Sequence, residues 1–264
     1  MATSRLSLVT KSALRPETAG RLQVVARTAQ ILRMYDADRA DLRINDVADE
    51  LQIGRTSAHR YLHSMAAEGF LQQIGDGSYQ LGSLLAGLGA TMLSSTRLIE
   101  TAEPFLAQLA EASGETSVLG IWTGANAIAV LCKEPPGKTV NMTVRIGSAL
   151  PVDSAQGICL LAYLDNDATT VRALRGAEHK RDSVLARIDE TRERGYSSSG
   201  AVIPGVGAIA APVFDRAGAI TATVAIISSL ETLQGPQVDA MARSMQATAG
   251  AVSRQLGFTG RATT

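Results

Sequence analysis

Residues 44–63, INDVADELQIGRTSAHRYLH, constrain the fold more than any other stretch of the chain. Ile44, Val47, Ala48 and Leu51 recur at helical spacing and give a short helix one apolar face. Asn45 or Asp46 can cap its start, since a short polar side chain accepts from the free amides of a first turn. Gly54 breaks the pattern and is expected to supply the sharp turn before a second helix. That helix turns Ala58, Tyr61, Leu62 and Met65 inward and leaves Arg55, Thr56, Ser57, His59 and Arg60 on its other face. Two short helices joined at a turn, the second opening with basic and hydroxyl side chains, read as a helix-turn-helix. The alternative is an ordinary helical hairpin with a solvated polar face.

The major groove of DNA admits one α-helix, whose first turn must present donors to phosphates and base edges. Arg55 and Arg60 suit a phosphate or a guanine, and Thr56 and Ser57 can reach either kind of group. His59 either donates to a phosphate or packs on the helix surface, and His63, one turn on, is assigned a structural role. The whole chain balances 25 basic against 25 acidic residues, so no global field draws in a polyanion. Binding to DNA must therefore rest on local charge, and a dimer would bring two such patches to one duplex.

With 264 residues, 45% of them hydrophobic and 19% charged, the chain can form two globular domains, each with its own core. Cys132 and Cys159 lack CxxC spacing and a neighbouring His, so neither a metal site nor a disulfide framework is expected. No 18-residue apolar run or secretion-like leader is visible, which leads to the expectation of a cytoplasmic protein with no membrane partner. Ser-His-Asp, HExxH and phosphate-loop patterns are missing, and no catalytic residue or cofactor is expected. An enzyme reading would have to use the thiol of Cys132 or Cys159, and both stand in apolar runs where cysteine is usually inert.

Taken in order, residues 1–20 read as a polar tail, and Leu22, Val25, Ala29 and Leu32 mark a first helix. Residues 70–74 and 78–81 flank Gly75-Asp-Gly77 as a β-hairpin, the wing of a winged helix-turn-helix with little positive charge. A linker helix follows over 81–93, with Leu84, Leu85, Leu88 and Met92 on one side as either a dimer seam or intradomain core. An amphipathic helix through Leu98, Ala102, Phe105, Leu106 and Leu109 stops at Gly114. Beyond it the texture becomes β-prone, with a hairpin over 116–122 and 127–132 and another alternating strand over 139–145. Helices are expected over 157–164 and 182–195, two long apolar strands over 208–214 and 219–227, and a last helix over 236–256. Mixed strands and helices around one antiparallel sheet define an α+β, sensor-like domain.

From about Gly20 to Gly257 the chain resembles the IclR family of bacterial transcriptional regulators. Residues 54–62, GRTSAHRYL, are similar to the family's recognition helix, Tyr79-Gln-Leu-Gly82 to the end of its wing, and Gly114-Glu-Thr116 to the entry of its sensor domain. Arg194-Gly-Tyr196, Pro204-Gly-Val206 and residues 209–214, IAAPVF, are similar to its C-terminal signature. The resemblance implies a winged helix-turn-helix, a linker helix and a GAF-like effector-binding domain with an antiparallel sheet. On that pattern residues 1–20 form a tail, 21–82 the DNA-binding domain, 83–96 the linker, 97–258 the effector domain and 259–264 a second tail. It further implies homodimers, often paired into tetramers, on palindromic double-stranded operators.

Arg55, Thr56, Ser57, His59 and Arg60 match the groove-facing positions. Ala155, Gln156, Val206, Ala208, Ala225 and Ile227 match the lining of the effector pocket, and Ser198, Ser199 and Gln156 can add neutral hydrogen bonds. The chain departs from the family in being one residue short after Pro151 and in having Gly157-Ile158 where many members have Gly-Lys. Residues 197–203, SSSGAVI, also lack the acidic residues common there. These departures imply a weakly polar or aromatic effector, such as a hydrazide-like compound, in preference to glyoxylate or pyruvate. The reading favours a repressor; its competitors are a thiol-dependent enzyme on a GAF-like domain and a DNA-binding module without a ligand.

Overall fold

Three helices and a small sheet enclose the first core: α1 (Gln23–Leu32), β1 (Asp41–Arg43), α2 (Ile44–Leu51), α3 (Arg55–Ala67), β2 (Leu71–Ile74) and β3 (Ser78–Leu81). The computed structural model describes residues 22–260 apart from 37–38, 76, 125, 139–141, 165–168, 171–172 and 175–177. The tail expected over 1–20, and residues 261–264 of the one expected over 259–264, lie outside the described residues. Contacts divide the chain into two units, one running to Tyr35 and from Arg39 to Ala86, the other chiefly from Gly87 onward.

In the first unit Ile31, Leu42, Val47, Leu62, Leu71 and Tyr79 are buried together. The strands order as β1-β3-β2, all antiparallel, with Leu42 opposite Tyr79 and Gln72 opposite Gln80. The hairpin forms as expected, and β1 adds a third strand too short for a periodicity test to find.

Three local expectations need correction. Neither Asn45 nor Asp46 is the N-cap of α2; Arg43 is, and the Asp46 carboxylate reaches back to accept its backbone amide at 2.7 Å. The left-handed residue of the helix-turn-helix corner is Gln52, at φ 51° and ψ 50°. Gly54 sits in extended geometry at φ −64° and ψ 148°, which any residue adopts. Of the apolar stripe expected on α1, Leu32 packs half-buried against this core beside the buried Ile31, whereas Val25, and Leu22 just before the helix, are 63% and 74% exposed, so only its C-terminal end packs inside this chain.

Tyr35, half-buried, donates its hydroxyl proton to the Tyr79 carbonyl at 2.9 Å. Burial, with the Asp41 charge adding to it, pushes the phenol up to about 12. A folded-state pKa above the unfolded one gives stability that is complete below about pH 10 and is lost as the pH rises through 12. Denaturant titrations should show that loss in the wild type and a flatter profile in Tyr35→Phe. At neutral pH the same variant should be less stable by about 1 kcal/mol, the net worth of one hydrogen bond.

α4 (Ser83–Thr96) begins in the first unit and continues into the second, and Leu84, Leu88 and Met92 on it are exposed. Leu85 is half-buried, and the rest of this apolar side is not core of this chain.

The second unit comprises α5 (Leu98–Ser113), β4 (Thr116–Trp122), β5 (Ala127–Lys133), β6 (Ala149–Leu150), α6 (Ala155–Tyr163), a 3-10 turn at Glu178–Lys180 and α7 (Arg181–Arg194). β7 (Ser197–Ile203), β8 (Val206–Phe214), β9 (Ile220–Ser229), α8 (Leu230–Gln234) and α9 (Val238–Gln255) complete it. The strands make one antiparallel sheet ordered β6-β5-β4-β9-β8-β7. Strand residues alternate between its faces. Leu119, Ile121, Ile209, Val224 and Ile226 meet α5 and α9 on one face, and Ala210 and Ala225 meet Ala155 and Cys159 of α6 on the other. The α+β class holds.

The strand expected over 139–145 does not form where the chain is described, since 142–145 lie outside any ladder. Their alternation is nevertheless real. Met142 and Val144 pack toward Val118, Ala129 and Ile227, while Thr143 and Arg145 are exposed. A period of two reports one-sided burial, and here no neighbouring strand supplies the hydrogen bonds. β7, an edge strand, had no apolar alternation to announce it.

Candidate functional site

α3 buries Ala58, Leu62 and Met65 and leaves Arg55, Thr56, Ser57, His59, Arg60, His63 and Ser64 exposed. Its N-cap, Gly54, has no side chain to accept from the first-turn amides, and the first intrahelical bond is Ala58 N–H to Gly54 O at 3.0 Å. The amides of Arg55, Thr56 and Ser57 thus remain available at the positive end of the helix dipole, beside an arginine and two hydroxyls. His59 and His63 stack in parallel with ring centroids 5.9 Å apart. His63, assigned a structural role, is therefore a surface residue whose observed contact is the His59 ring. The Arg27 guanidinium lies 5.8 Å over the Tyr61 ring and ties α1 to α3. All five groove-facing candidates share one exposed face.

The second unit holds a cavity of about 410 Å³ on the α6 face of its sheet. Val206, Ala208 and Ile227 supply the strand side, Ala155 and Gln156 the start of α6, and residues 142–145 and 148–151 the opposite wall. The small side chains of Ala155 and Ala208 leave the space, and the lining is mainly apolar with a few convergent polar groups, the usual make-up of a small-molecule site.

Two expected lining residues lie elsewhere. Ser198 is exposed on β7, where adjacent residues face opposite sides, so that of the two expected serines Ser199 alone lines the cavity. Ala225 has the right parity but is sealed beneath Ala155 and Cys159 of α6. Met142, Val144, Ser154, Ile203 and Gly207 also line the cavity. The alternation of 142–145 signalled burial of Met142 and Val144; the others had no sequence signal.

Asp153 ties the wall together. Its carboxylate accepts from Lys180 Nζ at 2.8 Å, and its carbonyl accepts from Arg187 Nη1 at 2.7 Å and from Ser199 Oγ at 3.3 Å. Arg187 Nη2 also donates to the Ser198 carbonyl at 2.6 Å, which fixes β7 against the loop before α6. Burial works against ionisation of Asp153, but the Lys180 hydrogen bond, its own backbone amide and the Arg187 charge outweigh it and hold the carboxyl below the usual range.

Cys159 is fully buried, and desolvation pushes its thiol far up despite a hydrogen bond from Ser197. Among the described residues no cluster of His, Cys, Asp or Glu could hold a metal ion, and no helix is long and apolar enough to cross a membrane.

An exposed recognition helix with a wing, joined to a separate domain that holds a half-open, mainly apolar cavity, defines a transcriptional regulator with DNA-binding and effector-binding domains. Residues 24–75 match the IclR helix-turn-helix domain, and residues 90–254 match the C-terminal domain of bacterial IclR transcriptional regulators. The chain belongs to the IclR family. It is 31% identical over 254 residues to the glycerol operon regulatory protein of Streptomyces coelicolor, covering 90% of this chain and 98% of that one. It is 25% identical over 189 residues to the transcriptional repressor IclR of Escherichia coli K12, covering 67% and 69% of the two chains. An IclR homologue from Microbacterium hydrocarbonoxydans, solved with 4-hydroxybenzoate, superposes with a TM-score of 0.64 at 20% identity over 88% of this chain and 98% of that one.

Proposed function

We propose that this regulator is a cytoplasmic repressor that holds a palindromic operator as a dimer or a pair of dimers, and that a small, weakly polar organic effector in the cavity releases it. The cavity beside α6 carries the reading: it is apolar, of ligand size, and bounded by the elements that hold the sheet to its loops. The α3 face supports the DNA contact through Arg55, Thr56, Ser57, His59 and Arg60. Self-association is supported by the apolar residues left exposed at the start of α1 (Leu22 just before it, Val24, Val25) and on α4 (Leu84, Leu88, Met92). Repression is supported by the name of the Escherichia coli relative, and a ring-sized effector by the 4-hydroxybenzoate bound in the structural neighbour. A catalytic thiol finds no support in Cys159, which is sealed from solvent and held protonated. The domain limits proposed are 21–82, 83–96 and 97–258.

The test is a gel-shift titration on DNA flanking the protein's own gene, repeated with a panel of aromatic and short aliphatic compounds. One compound is expected to lower operator affinity at least tenfold, which corresponds to about 1.4 kcal/mol of coupling. Ala208→Trp, which obstructs the cavity, should abolish that response and leave operator affinity within about twofold. An unchanged response in Ala208→Trp would place the effector elsewhere.

A further inference from the structure

Gln156 is the second residue of α6 and is only 3% exposed, yet it lines the cavity. Its Nε2 lies 3.2 Å from Thr223 Oγ1 and 3.5 Å from the Val118 carbonyl. The carbonyl can only accept. Thr223 donates its own proton to the Gly120 carbonyl at 3.4 Å, so its oxygen also faces Gln156 as an acceptor. Both neighbours require an N–H, which fixes which way the amide is turned. The close approach is possible because β4 has glycine at this point: a Cβ on Gly120 would stand 2.5 Å from Nε2. Oε1 is left without a hydrogen bond from any described residue.

Two other polar groups beside α6 have partners, and Thr143, Arg145 and Ser148 stand on the opposite wall. Ser199 donates to the Asp153 carbonyl, and Ser154 Oγ accepts from the Gly157 amide at 3.1 Å. Oε1 is not sealed, since among the described residues the buried side-chain polar atoms without a partner are Trp122 Nε1 and Ser228 Oγ; it stays open to accept from a ligand's donor. A carboxylate set directly against Oε1 would add a second acceptor and be disfavoured at that point, whereas the wall that carries Arg145 does not oppose a negative charge.

We propose that Gln156 Oε1 is the recognition point of the cavity, and that the effector presents a neutral hydroxyl or amide N–H to it. The effector's apolar body then lies on Val206, Ala208 and Ile227. Thr223 is a positioning residue that acts through Gln156. The proposal rests on reading the cavity as the effector site.

Matched probes test it: phenol, benzyl alcohol and benzamide against anisole, benzyl methyl ether and N,N-dimethylbenzamide, with affinities measured by ligand-observed NMR on the full chain. The wild type should prefer the donor member of a pair by roughly tenfold. Gln156→Leu should lose that preference and bind the methylated members at least as well. Thr223→Val, nearly isosteric, should narrow the preference without removing binding, and it serves if Gln156→Leu does not fold. Equal affinities within every pair for the wild type, or a preference that survives in both variants, would overturn the proposal alone. If the wild type bound no probe better than Ala208→Trp, the effector-site reading would fall and the proposal with it.

Discussion

Replacing Gly82 with alanine should abolish operator binding and destabilise the DNA-binding unit by more than about 4 kcal/mol, beyond the range of ordinary substitutions. A Cβ at this position would stand 2.1 Å from the Gly69 carbonyl oxygen and 2.9 Å from Gly69 C and Leu71 N. All three are backbone atoms, so no side-chain rotation can relieve the overlap. The same residue donates its amide to the Phe70 carbonyl at 2.8 Å. Moving the chain away would break that bond and part the end of β3 from the segment that leads out of α3 into β2. Both the wing and the seating of α3 depend on this closure. Gly54→Ala is the control, since a Cβ there meets nothing within 4 Å and its backbone is already extended. Urea denaturation followed by circular dichroism, with gel shifts on the same preparations, separates the two. Similar losses in both variants would show that steric closure at Gly82 is not the cause.

The contrast between these glycines also shows what the sequence could disclose. Gly54 stood where a helix-turn-helix needs a corner, and a glycine between two helical patterns is ordinarily read as the residue that turns. The left-handed conformation belongs to Gln52, whose type gives no such signal. The requirement at Gly82 comes from the approach of Gly69 and Leu71, which a linear reading cannot see. Periodicity served well wherever burial was one-sided and continuous: α3, α5, β4, β8 and β9 were all legible. It misled at 142–145, where alternation marks a cavity wall instead of a strand. It was silent at β1, which is too short, and at β7, which is polar.

The candidate site divides along the same line. The exposed face of α3 follows from helical spacing, because a helix displays its residues in a fixed order around its axis. A cavity draws its lining from six separate segments, so the position of each residue depends on register. Ser198 and Ser199 differ by one residue and therefore face opposite ways. Gln156 was legible as a polar residue near the pocket, but the direction of its amide depends on Thr223 and Gly120, sixty-seven and thirty-six positions away in the chain.

The second large effect is expected at α3 itself. The double variant Arg55→Ala, Arg60→Ala should weaken operator binding by about a thousandfold at 0.1 M salt if a dimer places four arginines against phosphates. The plot of log affinity against log salt should become shallower by roughly 3 to 4 units, because each lost phosphate contact removes about 0.9. The chain's formal net charge is zero, so no background field can compensate for the missing pair. Thr56→Ala and Ser57→Ala should behave differently, changing the preferred bases while leaving the slope nearly intact, since a neutral hydroxyl releases no counterion. The uncapped amides of the first turn persist in every variant, which leaves a residual nonspecific affinity that still depends on salt. Titrations across a salt series with fluorescent duplexes would measure all three quantities. A slope reduced by only about 2 units would mean two phosphate contacts, from one copy of α3 or from one arginine on each of two, and would contradict four arginines per site. An unchanged slope would remove both arginines from the interface.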